Sequence, residues 1–252
     1  MSFVDEQLER VRPLWDRMLS HRFLKDTRDG RIDSDTFATW MRQDYLFVEA
    51  ALPFLATLIA KAPERHRAPL IRTLDALRKE LALFEERADA VGVRLRDAPP
   101  SFTCHGYVQF LLATGYRASY PEGYTVLYVA EKAYFDSWKV VREGIDPESP
   151  WFPFVQNWSA PEFEEWVGHL GTELDALAAS AGEAERERMS ELFRLTTLYE
   201  IAFWEMAATG ATWPGLDEGT HPGLSGTDSI WRTEETEPRG HAWEGVVRKE
   251  GG

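Results

Sequence analysis

The chain is poor in the residues that most quickly announce a function. A single cysteine, Cys104, among 252 residues cannot close a disulfide within the chain, so nothing points to an oxidising compartment. Six histidines, at 21, 66, 105, 169, 221 and 241, include no pair four apart, and no Glu-x-x-His pairs recur on two helices, which leaves no zinc or di-iron carboxylate pattern and no expected metal or cofactor. Glycine-rich phosphate loops, a dinucleotide fingerprint and a nucleophile elbow are all missing. Basic residues are scarce: 28 Lys and Arg against 42 Asp and Glu give a formal charge of −14, which repels nucleic acid and anionic membranes. No run of roughly 20 apolar residues is evident for a spanning helix, and the start, Met1 to Trp15, lacks the basic and apolar parts of a signal peptide. These features predict a cytoplasmic protein with neither nucleic acid nor membrane as partner.

What the chain does have is helical periodicity and aromatics, with 44% hydrophobic and 13% aromatic residues. Leu8, Val11, Leu14, Trp15 and Leu19 make one stripe, with Pro13 as a kink or late start. A loop is expected from Leu24 to Asp33, then a helix capped by Ser34 that Pro53 interrupts and Pro63 ends. Further helices are expected at about 68–91, 101–114, 124–142, 161–180 and 183–209, with Trp151 to Trp158 as a proline-containing linker. The pattern predicts an all-α fold, a single helical bundle over residues 1–211, followed by an irregular tail over 212–252. Within that tail, isolated Trp213, Ile230, Trp231, Trp243 and Val246 could pin it to its own domain or to a neighbouring subunit.

Three acids stand on the apolar, aromatic faces of these helices. Asp44 shares a face with Phe47 and Val48; Glu131 is flanked at helical offsets by Tyr128, Phe135 and Trp138; Glu200 precedes Phe203 and Trp204. A carboxylate buried alone is expensive, so each should be paired or directed at a ligand. Aromatic walls around such acids suit a flat heteroaromatic molecule, whose amino groups and ring nitrogens the acids would meet. The same pattern also fits a plain aromatic core with structural salt bridges. Cys104, next to His105, reads as a small packed residue, because adjacent helical residues point in different directions.

Set in order, several segments resemble the TenA/THI-4 family, which shares its fold with haem oxygenase. They are Trp15, Met18 and His21 to Leu24; Phe37, Trp40 and Gln43 to Leu46; Tyr107 and Phe110 to Gly115; Ala130-Glu131; the aromatic stretch ending at Trp158; and Leu198 to Glu200 with Phe203-Trp204. The resemblance spans about residues 8 to 210 and implies a haem oxygenase-like bundle and, commonly in that family, a homotetramer. It places Asp44, Glu200 and Tyr107 in the family pocket. The nucleophilic cysteine of the thiaminase II branch is replaced by Glu131, and three pocket tyrosines correspond to Phe47, Phe135 and Trp158. A subclass with an active-site Glu is the closer likeness, and it is associated with hydrolysis of amino- or formylamino-pyrimidines in thiamin salvage. The expected site thus has Asp44, Glu131 and Glu200 as catalytic acids inside walls of Trp40, Phe47, Tyr107, Phe135, Trp158 and Trp204. A binding protein for a small heteroaromatic and a regulatory helical oligomer are the alternatives.

Overall fold

The computed structural model describes residues 1–97 and 99–214. Among these residues there are nine α-helices and no strand: α1 (Phe3–Leu19), α2 (Arg22–Arg28), α3 (Ser34–Lys61), α4 (Glu64–Ala90), α5 (Phe102–Arg117), α6 (Tyr120–Arg142), α7 (Phe152–Trp158), α8 (Pro161–Ser180) and α9 (Glu183–Thr209). A short 3-10 turn at Leu95–Asp97 joins α4 to α5. The all-α bundle expected from the periodicity is the fold observed.

Local chemistry sets the helix starts. Ser2 and Asp5 form a capping box on α1, and Ser119 and Glu122 form another on α6, each satisfying N–H groups that the first turn leaves without partners. Asp33 caps α3 by accepting from the Thr36 N–H at 2.8 Å, so the cap falls one residue before the expected Ser34. Helix α9 stops at Gly210, whose φ of 65° lies in the left-handed region that glycine tolerates.

Helix α6 runs through the bundle and packs on α9, α8, α7 and α2, while α3 packs on α4, α5 and α9. Helix α1 closes the bundle against α8 and α9. The interior is strongly aromatic: Trp40 meets Trp138 edge-on at 5.0 Å and Phe154 at 5.4 Å, and Trp138 stacks on Trp158 at 5.6 Å. Each fully buried large apolar side chain stabilises the fold by roughly 1.5–3 kcal/mol, and each such ring pair adds about 0.5–1.5 kcal/mol. Where Leu58 of α3 meets α6, a Cβ on Gly123 would stand 2.5 Å from Cδ2 of that buried leucine, so the missing side chain allows the contact.

Four local expectations are corrected. The segment expected to be a loop from Leu24 contains α2, because Phe23, Leu24 and Thr27 are buried and the turn begins only at Asp29. Pro53 does not interrupt α3; it lies on the exposed side of the helix, while Phe54, Leu55 and Leu58 beside it are buried and hold the helix through the missing hydrogen bond. The Trp151–Trp158 stretch is helical over α7, since Phe154, Val155 and Trp158 form one buried face. Helix α3 also has the length and composition to span a membrane, contrary to the sequence expectation, and its buried face here is taken up by neighbouring helices. Of the expected tail, residues 215–252 lie outside the described residues; Trp213 donates its indole N–H to the Pro100 carbonyl at 3.1 Å and packs on Phe102.

Candidate active site

Helices α3, α4, α6 and α7 line a half-open cavity of about 60 Å³ whose walls are mostly apolar. On the measure by which one water takes roughly 10–15 Å³, this holds a few waters or one small planar group. Phe47, Phe54, Leu77, Leu127 and Trp158 supply the walls, and Asp44, Glu80, Glu131 and Tyr134 supply the polar atoms.

Asp44 is fully buried; one carboxyl oxygen accepts from the Tyr134 hydroxyl, and the other, Oδ2, has no partner. Burial raises its proton affinity far above the ordinary carboxylate range, the Tyr134 bond opposes that, and Glu80 adds to it. Glu200 has the same design. Its Oε1 lies 2.5 Å from the Tyr107 hydroxyl, its Oε2 is buried without a partner, and desolvation pushes its pKa up to about 8. Glu131 on α6 makes no side-chain hydrogen bond to another described residue, and desolvation together with the nearby Glu80 pushes its pKa to about 8. A carboxyl left unpaired in an apolar wall is stable only as the neutral acid or against a ligand that brings donors.

The expected residues fall into three positions. Asp44, Glu131, Phe47 and Trp158 line the cavity itself. Trp40, Tyr107, Trp204 and Glu200 form a second layer: Tyr107 packs on Phe47 at 4.6 Å, Trp40 meets Trp158 edge-on at 5.9 Å, and Trp204 stacks on Tyr134 at 5.6 Å. Phe135 departs from the expectation. It faces Phe163 and lies beneath the Lys132 and Lys139 ammonium groups, because one residue along a helix turns the side chain by about 100°. The position it was expected to fill belongs to Tyr134, which keeps a hydroxyl on Asp44.

Two residues escaped the sequence reading. Tyr134 was masked by the neighbouring aromatic. Glu80 sits on a helix whose outer face is charged, yet it follows Leu77 by three residues and precedes Phe84 by four, which places it at the edge of the apolar stripe. Glu80 accepts from Asn157 Nδ2 at 3.3 Å, and desolvation pushes its pKa to about 7. Cys104 is fully buried outside this cavity; its thiol reaches the Gln43 carbonyl at 3.4 Å, and burial raises its pKa well beyond the reactive range. Among the described residues no three His, Cys, Asp or Glu side chains are grouped to hold a metal ion.

An all-helical bundle with acids from several helices around one interior cavity defines a class of small-molecule site, and comparison with known proteins places it in a family. The chain belongs to the TENA/THI-4/PQQC family, which it matches over residues 8–210. It is 25% identical to the aminopyrimidine aminohydrolase of Halalkalibacterium halodurans, covering 84% of this chain and 98% of that protein. The crystal structure of a TenA homologue from Pyrococcus furiosus superposes with a TM-score of 0.79 at 36% identity, over 81% of this chain and 99% of that one. Haem oxygenase from Leptospira interrogans shares the fold at 15% identity, with a TM-score of 0.57 over 81% of this chain and 98% of that chain.

Proposed function

We propose that the protein hydrolyses a C–N bond on an amino- or formylamino-pyrimidine derived from thiamin. The observation that carries this reading is Asp44: a fully buried carboxyl with one oxygen held by Tyr134 and the other unpartnered, facing an apolar cavity across which Glu131 also stands. An aminopyrimidine edge offers an amino donor and an adjacent ring nitrogen, and a neutral or hydrogen-bonded carboxyl answers both. Phe47, Tyr134 and Trp158 offer ring faces for a planar heterocycle.

Glu131 serves as the base that takes a proton from water as its oxygen attacks the carbon bonded to nitrogen. Glu200, held by Tyr107 one layer behind the cavity wall and with its pKa raised to about 8, passes a proton to the departing nitrogen by way of Tyr134, which lines the cavity. Without a thiolate at the Glu131 position the attack is by water, since a carboxylate is a poor nucleophile toward an aromatic carbon. Similarity to a protein named aminopyrimidine aminohydrolase supports the same reading. The family resemblance supports a homotetramer, which light scattering on the purified protein would measure.

The test is turnover. Purified protein incubated separately with aminopyrimidine, formylaminopyrimidine and thiamin, with products identified by mass spectrometry, should release a hydroxymethylpyrimidine and ammonia from the first or an aminopyrimidine and formate from the second. Tight binding with no product would replace this reading by that of a binding protein.

A further inference from the structure

A second, more open cleft of about 630 Å³ lies outside the interior cavity, between α4, α7 and α8. Three residues line both spaces: Leu77, Glu80 and Glu131. They are therefore the partition between the reaction chamber and the cleft, and two of the three are carboxylic acids contributed by different helices. Asn157 fixes Glu80 from α7 by a donated hydrogen bond of 3.3 Å. Asp44 Oδ2, fully buried and unpartnered, lies on the chamber side of the same partition.

We propose that Glu80 is a further acid–base residue of this site: it shares a proton with Glu131 across the partition and carries protons between the chamber and the cleft. The proposal rests on the hydrolytic reading above. In one turnover Glu131 gains a proton from the attacking water as the C–O bond forms. Glu200 loses one to the nitrogen as the C–N bond breaks. Both must be reset before the next cycle. The proton on Glu131 passes to the Glu80 carboxylate and from there to water in the cleft, and Glu200 regains one when product leaves, so protons balance. Glu80 and Glu131 both line the cleft as well as the chamber, so a proton shared by the pair has the chamber on one side and open water on the other.

The charges around Glu80 fit a residue whose proton moves. Glu131 from α6 and Asp44 from α3 line the same cavity, and the charge of Glu80 raises the proton affinity of both. In the cleft Arg72 and Lys79 on α4 oppose Glu162 and Glu165 on α8, with His169 beside them. Two carboxyls that line the same wall, the charge of one raising the proton affinity of the other, do not both ionise readily.

The test is Glu80→Gln, which keeps the shape and an acceptor for Asn157 but cannot exchange a proton. Turnover should fall about tenfold or more with KM changed by less than about threefold, and the acidic limb of the rate–pH profile should move to lower pH, because Glu131 loses its like-charged neighbour. Unchanged kcat and an unmoved limb would overturn the proposal. A readout without substrate separates this from the hydrolytic reading: carboxyl carbon NMR of 13C-glutamate-labelled protein, with Glu131 assigned by its Gln variant. If the Glu131 titration shifts down in Glu80→Gln, the pair stands even if no pyrimidine is turned over. If it does not shift, the pair is refuted even if the enzyme is active. Glu80→Ala with added formate gives an independent check, since a small acid in the cleft should restore part of the lost rate, and no restoration counts against the relay.

Discussion

The Tyr107 hydroxyl, on α5, sits 2.5 Å from Oε1 of Glu200, on α9, and the second oxygen of that carboxyl is buried with no partner. A phenol that donates favours the ionised acid, while burial among aromatics favours the neutral one, and burial is the larger influence. Tyr107→Phe should therefore raise the Glu200 proton affinity further and lose the hydrogen bond that orients the acid. The expected result is a kcat reduced by about tenfold at neutral pH, measured by steady-state turnover, with the alkaline limb of the profile moved upward.

The pH profile follows from the same groups. The proposed reaction needs Glu131 ionised and Glu200 protonated, and both are pushed to about 8. Activity should trace a bell near that pH: at lower pH Glu131 is protonated and the base is lost, and at higher pH Glu200 ionises and the acid is lost. A profile flat from pH 6 to 10 would contradict this.

Glu131→Gln removes the base and keeps the shape, so kcat should drop by roughly 10²-fold or more while ligand affinity by calorimetry is nearly unchanged. The unmodified protein should cleave thiamin poorly or not at all. Efficient thiamin cleavage, or full activity of the Gln variant, would remove Glu131 from the mechanism.

Stability should run opposite to activity. A carboxyl whose folded pKa is raised holds a proton that the unfolded chain has already lost, so its contribution is full below the unfolded value of 4.5 and is lost as pH rises through the folded one. Melting temperature should fall between about pH 5 and pH 8. Glu131→Gln, which needs no such proton, should flatten that fall and melt above the unmodified protein at pH 8 and higher.

Tyr134→Phe tests the partner that replaced Phe135 in the expected site. It strips the donor from the already under-satisfied Asp44, and ligand affinity should weaken by about 1–2 kcal/mol, roughly 5- to 30-fold in Kd. Phe135→Leu, away from the cavity, should leave Kd unchanged, and a loss of similar size there would show that the placement of these two rings is exchanged.

The bundle itself was legible because its helices are long and amphipathic, and Asp44, Glu131 and Glu200 were legible because acids are rare on apolar stripes. Boundaries were less so: α2 and α7, each seven residues long, are too short for periodicity to register. Tyr134 and Phe135 could not be ordered without coordinates, since both are aromatic and adjacent. Glu80 was hidden by company: on a helix rich in surface Arg, Lys and Glu, one more Glu carries no signal until α7 brings Asn157 to it.

The stacked indoles of Trp138 and Trp158, 5.6 Å apart with planes 20° from parallel, give the protein an optical handle on its own chamber. Trp158 is a wall of the cavity and Trp138 is not, so a molecule entering touches one member of an electronically coupled pair. Near-ultraviolet circular dichroism should carry a paired signal from the two rings that changes sign or amplitude on occupancy. An unlabelled ligand could then be titrated, and its residence time followed by stopped flow, without any dye or chemical turnover.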